Sequence, residues 1–300
     1  MTKNTLTVAH WMTNFAHPVS SMDDWLAIFR EALETAKESE ADIFLAPEHL
    51  GEHWMHFCPE NIKKTDEVAW MAEQAKTMLP ALQDMAKEFG MMIVAGSTTW
   101  KTDDEYHNRA WMLFPDRDPL FHDKLVLTPD EKDKNDWCMT PGDTFTTVTW
   151  RGFKLACVIC LDIEMPSLSN RIANEGVDLL LVPSMTEKAS GYHRVFGCAK
   201  ARAVELMAPI AVVGCVGAAM KNGAYRENYS SGASVYVPCE ELYGYNGIYS
   251  DFPMHTTAEG IGNVLISTDI PVGDIRDTRN GKPEVWPGPW SAAHVKIVNK

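Results

Sequence analysis

Short apolar runs alternate along the chain with stretches whose apolar residues recur every three or four positions. TLTVAHW (5–11) reads as an opening strand. Ser21 then precedes Trp25, Ile28, Phe29, Ala32, Leu33 and Ala36, which share one helical face, and its hydroxyl suits the helix cap. DIFLAP (42–47) is the next strand. A second helical pattern runs from Thr65 to Phe89, with an interruption or restart expected at Pro80 and an end at Gly90. MMIVAGS, RAWMLF, TFTTVTW and FKLACVI follow with few helical signals between them, which predicts that part of the sheet is antiparallel. A short helix over Leu168–Glu175, a strand at VDLLLVPS, a helix over His193–Met207 and a strand at PIAVVGCVG come next. SVYVP and NVLISTDI are late strands.

No Ser/Gly-rich linker and no repeat of roughly 20–50 residues divides this pattern. It predicts one α/β domain over residues 1–272 and a C-terminal arm over 273–300. The arm ends in GKPEVWPGPWSAAHVKIVNK, rich in Pro and Trp and poor in helical period, so it wraps over either the domain or a neighbouring subunit.

Composition narrows the class. The chain has 300 residues, 45% hydrophobic and 23% charged, ample for a large core. Its apolar runs are far shorter than the roughly 20 residues a membrane span needs, and MTKNTLTVAHW lacks the apolar core of a signal peptide. The expected address is cytoplasmic, with no membrane partner. A net charge of −14 argues against a nucleic-acid binder, which needs a basic surface. The seven cysteines are odd in number and scattered, which fits a reducing compartment better than a disulfide framework.

KLACVICLDIEMP (154–166) carries a C-x-x-C pair, and three readings compete: a redox disulfide, half a metal site, or one reactive thiol. If the strand FKLACVI continues to Cys160, then Cys157 and Cys160 point to opposite faces and cannot share a metal or a disulfide. No second C-x-x-C exists, and nothing ties His53, His56 and Cys58 of HWMHFC to this segment. Cys157 reads as a small buried hydrophobe. Cys160 falls where the strand ends, before Ser167, which can cap the following helix. A thiol at such a turn is presented at the strand's C-terminal edge, where backbone N–H groups can meet an oxyanion. It still needs a base and a positive group. APEHL puts Glu48 after DIFLAP at the same kind of edge, a candidate base. FHDKLVLTPDE puts Lys124 at the mouth of another apolar run, with Glu131 seven residues on. Each of these has a plainer reading as an ordinary structural cysteine, loop glutamate or surface lysine.

Taken in chain order, Glu after a strand, K-x-x-L-x-x-x-E and C-x-D-x-x-x-P resemble the nitrilase (carbon–nitrogen hydrolase) superfamily. PGD at 141–143, EGVDLLLVPS, and AKARAVELMAPIAVVGCVG with Arg202 and Glu205 are also similar to it. The resemblance runs from about residue 4 to 272. It implies a four-layer α-β-β-α sandwich, a homodimer or larger homo-oligomer, and no metal or organic cofactor. It also implies roles: Cys160 as nucleophile, Glu48 as base, Lys124 and the backbone N–H of Leu161 as oxyanion donors, and Glu131 either holding substrate or orienting Lys124.

Within the family, C-W-E marks nitrilases, whereas Cys160-Leu161-Asp162 is closer to the C-Y-D of amidases and carbamoylases. Hydrolysis of a small linear amide with ammonia release is therefore expected, against three alternatives: an N-carbamoyl amine or amino-acid hydrolase, a nitrilase, and a non-catalytic binding member. Relatives that bind a carboxylate place Arg near Glu164. A Glu there either favours a substrate amine or pairs with a nearby cation such as Arg171. The aromatic residues and Met around His49–Cys58, together with Tyr192 and His193, are further candidates for lining the pocket, with core or subunit contact as the equal alternative.

Overall fold

The computed structural model describes residues 4–218, 220, 221, 224, 225 and 228–299; for residues 220, 221, 224 and 225 only the backbone is described. The chain builds two six-stranded mixed sheets. The first half runs β1 (Leu6–Thr13), α1 (Met22–Glu38), β2 (Ile43–Leu45), α2 (Lys64–Phe89), β3 (Met92–Thr102), β4 (Glu105–Leu113) and β5 (Leu120–Asp123). The second runs α3 (Pro129–Lys132), β6 (Thr147–Trp150), β7 (Phe153–Cys157), α4 (Pro166–Ala173), β8 (Leu179–Pro183), α5 (Ala189–Leu206) and β9 (Ile210–Val213). A short pair, β10 (Met220–Lys221) and β11 (Ala224–Tyr225), precedes β12 (Ser231–Tyr236), β13 (Ile248–His255), β14 (Gly262–Ile270) and α6 (Val272–Asn280).

Sheet order is β14-β1-β2-β3-β4-β5 in one layer and β13-β12-β9-β8-β7-β6 in the other. Both follow the same plan: three parallel strands in the middle (β1-β2-β3, β9-β8-β7) flanked by antiparallel ones. Alternation along the strands builds the layers. Leu6, Val8 and Met12 of β1 join Ile43, Leu45, Met92 and Val94 in a core shared with Leu155, Leu179 and Leu181 of the second sheet. Ala9 and Trp11, one residue out of phase, pack with Phe44 and Ile93 against Trp25, Phe29 and Leu33 of α1 and Met71 and Leu82 of α2. Tyr192, Val195, Phe196 and Ala199 of α5 cover the second sheet. The expected four-layer α-β-β-α sandwich is the observed architecture.

Local chemistry explains most boundaries. Ser21 Oγ accepts the Asp24 N–H at 3.1 Å and caps α1. Gly90 closes α2 in a left-handed conformation at φ 67°. Pro80, however, does not break α2, which runs unbroken for 26 residues. Its ring lies on the solvent face, where water can meet the carbonyl it frees, while Met78 and Leu82 on either side stay buried. Ser167 is not a cap either: α4 begins at Pro166 in the first helical position, after Met165. The strand carrying KLACVIC stops at Cys157, and Cys160 opens a 3₁₀ turn over Cys160–Glu164. Helix α5 starts at Ala189, four residues ahead of expectation.

The boundary expected at residue 272 falls inside a helix. Val272 and Ile275 of α6 are buried in the inter-sheet core, and Arg279 bonds Asp178 Oδ1 at 2.6 Å. Beyond it the arm returns over its own chain: Trp286 Nε1 donates to Glu205 O at 2.9 Å, and Asn170 Nδ2 donates to Trp290 O at 2.6 Å. Among the described residues, no helix is long and apolar enough to cross a membrane.

Candidate active site

At one edge of the sandwich, segments leaving β2, β5, β7 and β8 converge. Glu48 follows β2. Its backbone N–H donates to Ser184 O beyond β8 at 3.2 Å, which ties the two sheets together at this point. A bulge in β3 holds the Glu48 turn: Ser97 N donates to Pro47 O at 3.2 Å, and Ser97 Oγ accepts the His49 N–H at 3.1 Å. Gly96 makes that approach possible, since a Cβ there would stand 1.8 Å from Pro47 O and its φ is +56°.

Lys124 leaves β5 with its N–H on Asn108 O at 2.9 Å and its C=O accepting the Gly142 N–H at 2.8 Å. Gly142, from the PGD segment, packs so tightly that a Cβ would meet Asp123 O at 2.5 Å. Glu131 closes a capping box with Thr128: Thr128 Oγ1 accepts the Glu131 N–H at 3.3 Å, and Glu131 Oε2 accepts the Thr128 N–H at 2.7 Å.

These three side chains form one buried cluster. Lys124 Nζ donates to Glu48 Oε1 at 2.7 Å and to Glu131 Oε1 and Oε2 at 3.0 and 2.8 Å. Glu48 Oε1 also accepts Asn108 Nδ2 at 2.9 Å, and its Oε2 accepts the Met185 N–H at 2.9 Å. Glu131 Oε1 further accepts Asn108 Nδ2 at 2.8 Å and lies 2.9 Å from His49 Nε2. Burial alone would lower the lysine's pKa, but the charges of Glu48 and Glu131 outweigh it and raise the pKa above the ordinary value. Burial likewise opposes the charge on Glu131, yet Lys124 and His49 hold its carboxyl well below the usual range. Glu48, His49 and Glu131 bring ligand-type atoms within 4.8 Å of one another, and the cation seated among them is the Lys124 ammonium.

Cys160 stands at this cluster's rim in a left-handed conformation, φ 44°, uncommon for a residue with a side chain. Its Sγ lies 3.6 Å from Ser184 Oγ and 3.7 Å from Met185 O. Burial pushes the thiol's pKa above the ordinary value and Glu48's charge adds to this, while Lys124 pulls the other way. The resting group is a thiol, and it needs a base to react. Cys157 is fully buried in the core, and both cysteines are free. Asp162, two residues on, ties the turn to the lysine segment. Its Oδ1 accepts the N–H groups of Leu125 and Val126 at 3.1 and 2.8 Å, and its Oδ2 accepts that of Ile159 at 3.0 Å and faces His122 Nε2 at 3.2 Å.

A cavity of about 860 Å³ opens above these groups, within the size range of small-molecule sites. Glu48, Lys124, Glu131, Cys160 and Leu161 line its floor, and Glu164 lines its wall. Glu164 pairs with Arg194 Nε at 3.2 Å rather than with Arg171. Tyr192 and His193 lie outside the lining. Because α5 starts early, they sit on its second turn, Tyr192 turned inward onto Phe196 at 4.1 Å and His193 outward to solvent. Ser190, Gly191, Arg194 and Val195 line the cavity instead. The histidines of HWMHFC point elsewhere, His53 Nε2 to His17 O at 2.7 Å and His56 Nε2 to Phe15 O at 2.8 Å.

Sequence reasoning gave no role to His49, Asn108 or Arg194, and read Asp162 only as part of the motif after Cys160. The T-x-x-E spacing of Thr128 and Glu131 was a readable cap signal. Asn108, a polar residue just before the run RAWMLF, offered a weaker one.

Comparison with known proteins gives the family and the fold. The chain matches the carbon-nitrogen hydrolase family over residues 16–247. It is 24% identical over 257 residues to a probable hydrolase, YhcX, of Bacillus subtilis, covering 85% of this chain and 49% of that protein. It is 33% identical over 104 residues to an (R)-stereoselective amidase of a Pseudomonas species, covering 34% of this chain and 36% of that protein. The chain thus spans half or less of the length of these curated relatives. Among solved structures, an amidase from Nesterenkonia sp. shares the fold with a TM-score of 0.68 and 20% identity, over 93% of this chain and 95% of that one. A mutant of an amidase from Nesterenkonia sp. AN1, with a TM-score of 0.67 at 20% identity over 92% of this chain and 95% of that one, shows covalent addition of the acetamide moiety of fluoroacetamide at its active-site cysteine.

Proposed function

Because the chain belongs to the carbon-nitrogen hydrolase family, we propose that it hydrolyses the C–N bond of small linear amides through a thioester on Cys160. One observation carries this reading: Glu48, Lys124 and Glu131 are hydrogen-bonded in a single buried cluster that lines the same cavity as Cys160.

Glu48 takes the thiol proton as Sγ attacks the amide carbon. The tetrahedral oxyanion is met by Lys124 Nζ and the Leu161 N–H. The C–N bond breaks as Glu48 returns the proton to the leaving nitrogen, which departs as ammonia. Glu48 then deprotonates a water that attacks the thioester, releasing the acid and restoring the thiol. Glu131 orients Lys124 rather than gripping substrate. Its two oxygens already face Lys124, Asn108, His49 and the Thr128 N–H, which leaves little acceptor capacity for a ligand.

Mutants of the amidase from Nesterenkonia sp. AN1 form complexes with butyramide and with acrylamide, which supports short aliphatic amides here. Glu164 offsets Arg194 on the wall, so the pair gives no net attraction to a substrate carboxylate, and neutral or amine-bearing amides fit best. The same reading makes the protein a cytoplasmic homo-oligomer. It is supported by cysteines that form no disulfide among the described residues and by exposed apolar side chains such as Val204 and Trp290.

An ammonia-release screen over aliphatic, amino-, carbamoyl- and carboxylate-bearing amides tests the proposal. Release from short aliphatic or amino-amides supports it, and release from none of them overturns it. Carbon dioxide appearing with the ammonia would establish the carbamoyl reading, and preference for carboxylate-bearing amides would refute the role given to Glu164.

A further inference from the structure

A buried titratable side chain that also lines the cavity takes no part in these steps. His49 directly follows Glu48, is buried, and holds φ 53° and ψ 46°, a left-handed conformation that side-chain-bearing residues seldom adopt. Its ring meets Trp137 edge-on with centroids 4.7 Å apart. Its Nε2 lies 2.9 Å from Glu131 Oε1, 3.8 Å from Glu48 Oε1 and 2.9 Å from Asn108 Nδ2.

The proton's place follows from the partners. A carboxylate oxygen only accepts, so the nitrogen facing Glu131 carries the hydrogen. Asn108 Nδ2 donates to Glu131 Oε1 at 2.8 Å and to Glu48 Oε1 at 2.9 Å. His49 and Asn108 are therefore adjacent donors converging on one oxygen of Glu131. Two carboxylates against one ammonium leave the buried cluster with an excess negative charge, and the imidazole N–H turned toward it offsets part of that.

The lysine makes this clamp matter. Lys124 Nζ has three N–H donors, and in the resting site they face Glu48 Oε1 and both oxygens of Glu131. When Glu48 takes the thiol proton it loses its charge and its hold on the ammonium, and that donor is released toward the oxyanion. The ammonium stays on target only if Glu131 does not follow it. We propose that His49 is a positioning residue, whose Nε2–H fixes Glu131 Oε1 and thereby holds Lys124 in place as the oxyanion forms.

This inference rests on the amidase reading, and its test keeps the two apart. His49→Phe keeps a ring against Trp137 and removes the donor; His49→Gln restores an N–H near the position of Nε2. The expected kcat of H49F is about 10- to 100-fold below wild type, the scale of one hydrogen bond to a charged group, with KM within about twofold. H49Q should recover most of that loss. Alkylation of Cys160 by iodoacetamide, followed by peptide mass, provides a second readout that needs no turnover. It forms no oxyanion but depends on the thiolate that the charge of Lys124 favours, so H49F, with Lys124 less well held, should react several-fold more slowly. If the wild-type thiol alkylates but no amide is hydrolysed, the amidase reading fails, and the alkylation rates still decide the role of His49. Wild-type alkylation and turnover in H49F would overturn the proposal. So would an H49Q as slow as H49F when both melt like wild type, because the restored donor would then recover nothing. Should Phe not be accommodated, H49M is the donor-free variant.

Discussion

Asp162 is the most exposed prediction of the geometry, because one buried carboxylate joins the nucleophile turn to the lysine segment. Asp162→Asn keeps the volume and removes one acceptor oxygen and the charge. The native oxygens serve the Leu125 and Val126 N–H groups on one side and the Ile159 N–H and His122 Nε2 on the other. An amide serves only one side as an acceptor, and its NH₂ then faces the N–H donors of the other. Hydrogen bonds to a charged acceptor contribute about 1.5–3 kcal/mol each, and a stranded buried donor costs about 1–3 kcal/mol. His122 can relieve part of this by changing tautomer, so we expect a loss of about 3 kcal/mol in urea unfolding, seen as a lower midpoint with unchanged slope. The catalytic effect should be separable. Letting Lys124 drift about 1 Å from its place near Cys160 lowers kcat by about 100-fold in protein that is fully folded. The assay is ammonia release in parallel with urea titration. A D162N variant within about 0.5 kcal/mol of wild type and within twofold in kcat would refute the bridging role.

Other predictions follow from the same contacts. Glu48→Gln preserves the shape of the cluster but removes the base, and turnover should fall by about 10²- to 10⁴-fold with little loss of fold, as read by ammonia release and circular dichroism. Glu164→Gln leaves Arg194 without its counter-charge, so amides bearing a carboxylate should gain in kcat/KM relative to neutral ones, as compared in paired assays; an unchanged ratio would remove the pair from specificity. Stability should fall on mild acidification. Burial lowers His10 from 6.5 to about 4 and His53 from 6.5 to about 3, so the unfolded chain binds protons that the folded one refuses. Each group then costs about 1.4 kcal/mol per pH unit below 6.5, down to its folded value, and urea midpoints at pH 7 and pH 5.5 should show it.

Much of this fold was legible because apolar period and cap chemistry agree locally. Ser21, the Trp25–Ala36 stripe and Gly90 are where pattern and caps placed them. Strand β13 was not legible. IYSDFPMH has weak alternation and contains Pro253, a residue tolerated here because β13 is an edge strand. The start of α5 was hidden because TEKASG is polar and reads as a loop, and that shift of register turned Tyr192 into the core. At the site, Glu48, Lys124 and Cys160 were readable because each is a reactive side chain where an apolar run ends. The groups that hold them were not. His49, Asn108 and Asp162 act across distances of tens of residues in sequence, and nothing local to them states which acceptor they will meet. The arm's destination depended likewise on contacts with Glu205 and Asn170 that no periodicity encodes.

The most direct measurement is turnover by Cys160→Ala beside wild type on a short aliphatic amide, with matched thermal midpoints. The account predicts ammonia release by wild type and none above background by C160A. Ammonia release by C160A at the wild-type rate would contradict it.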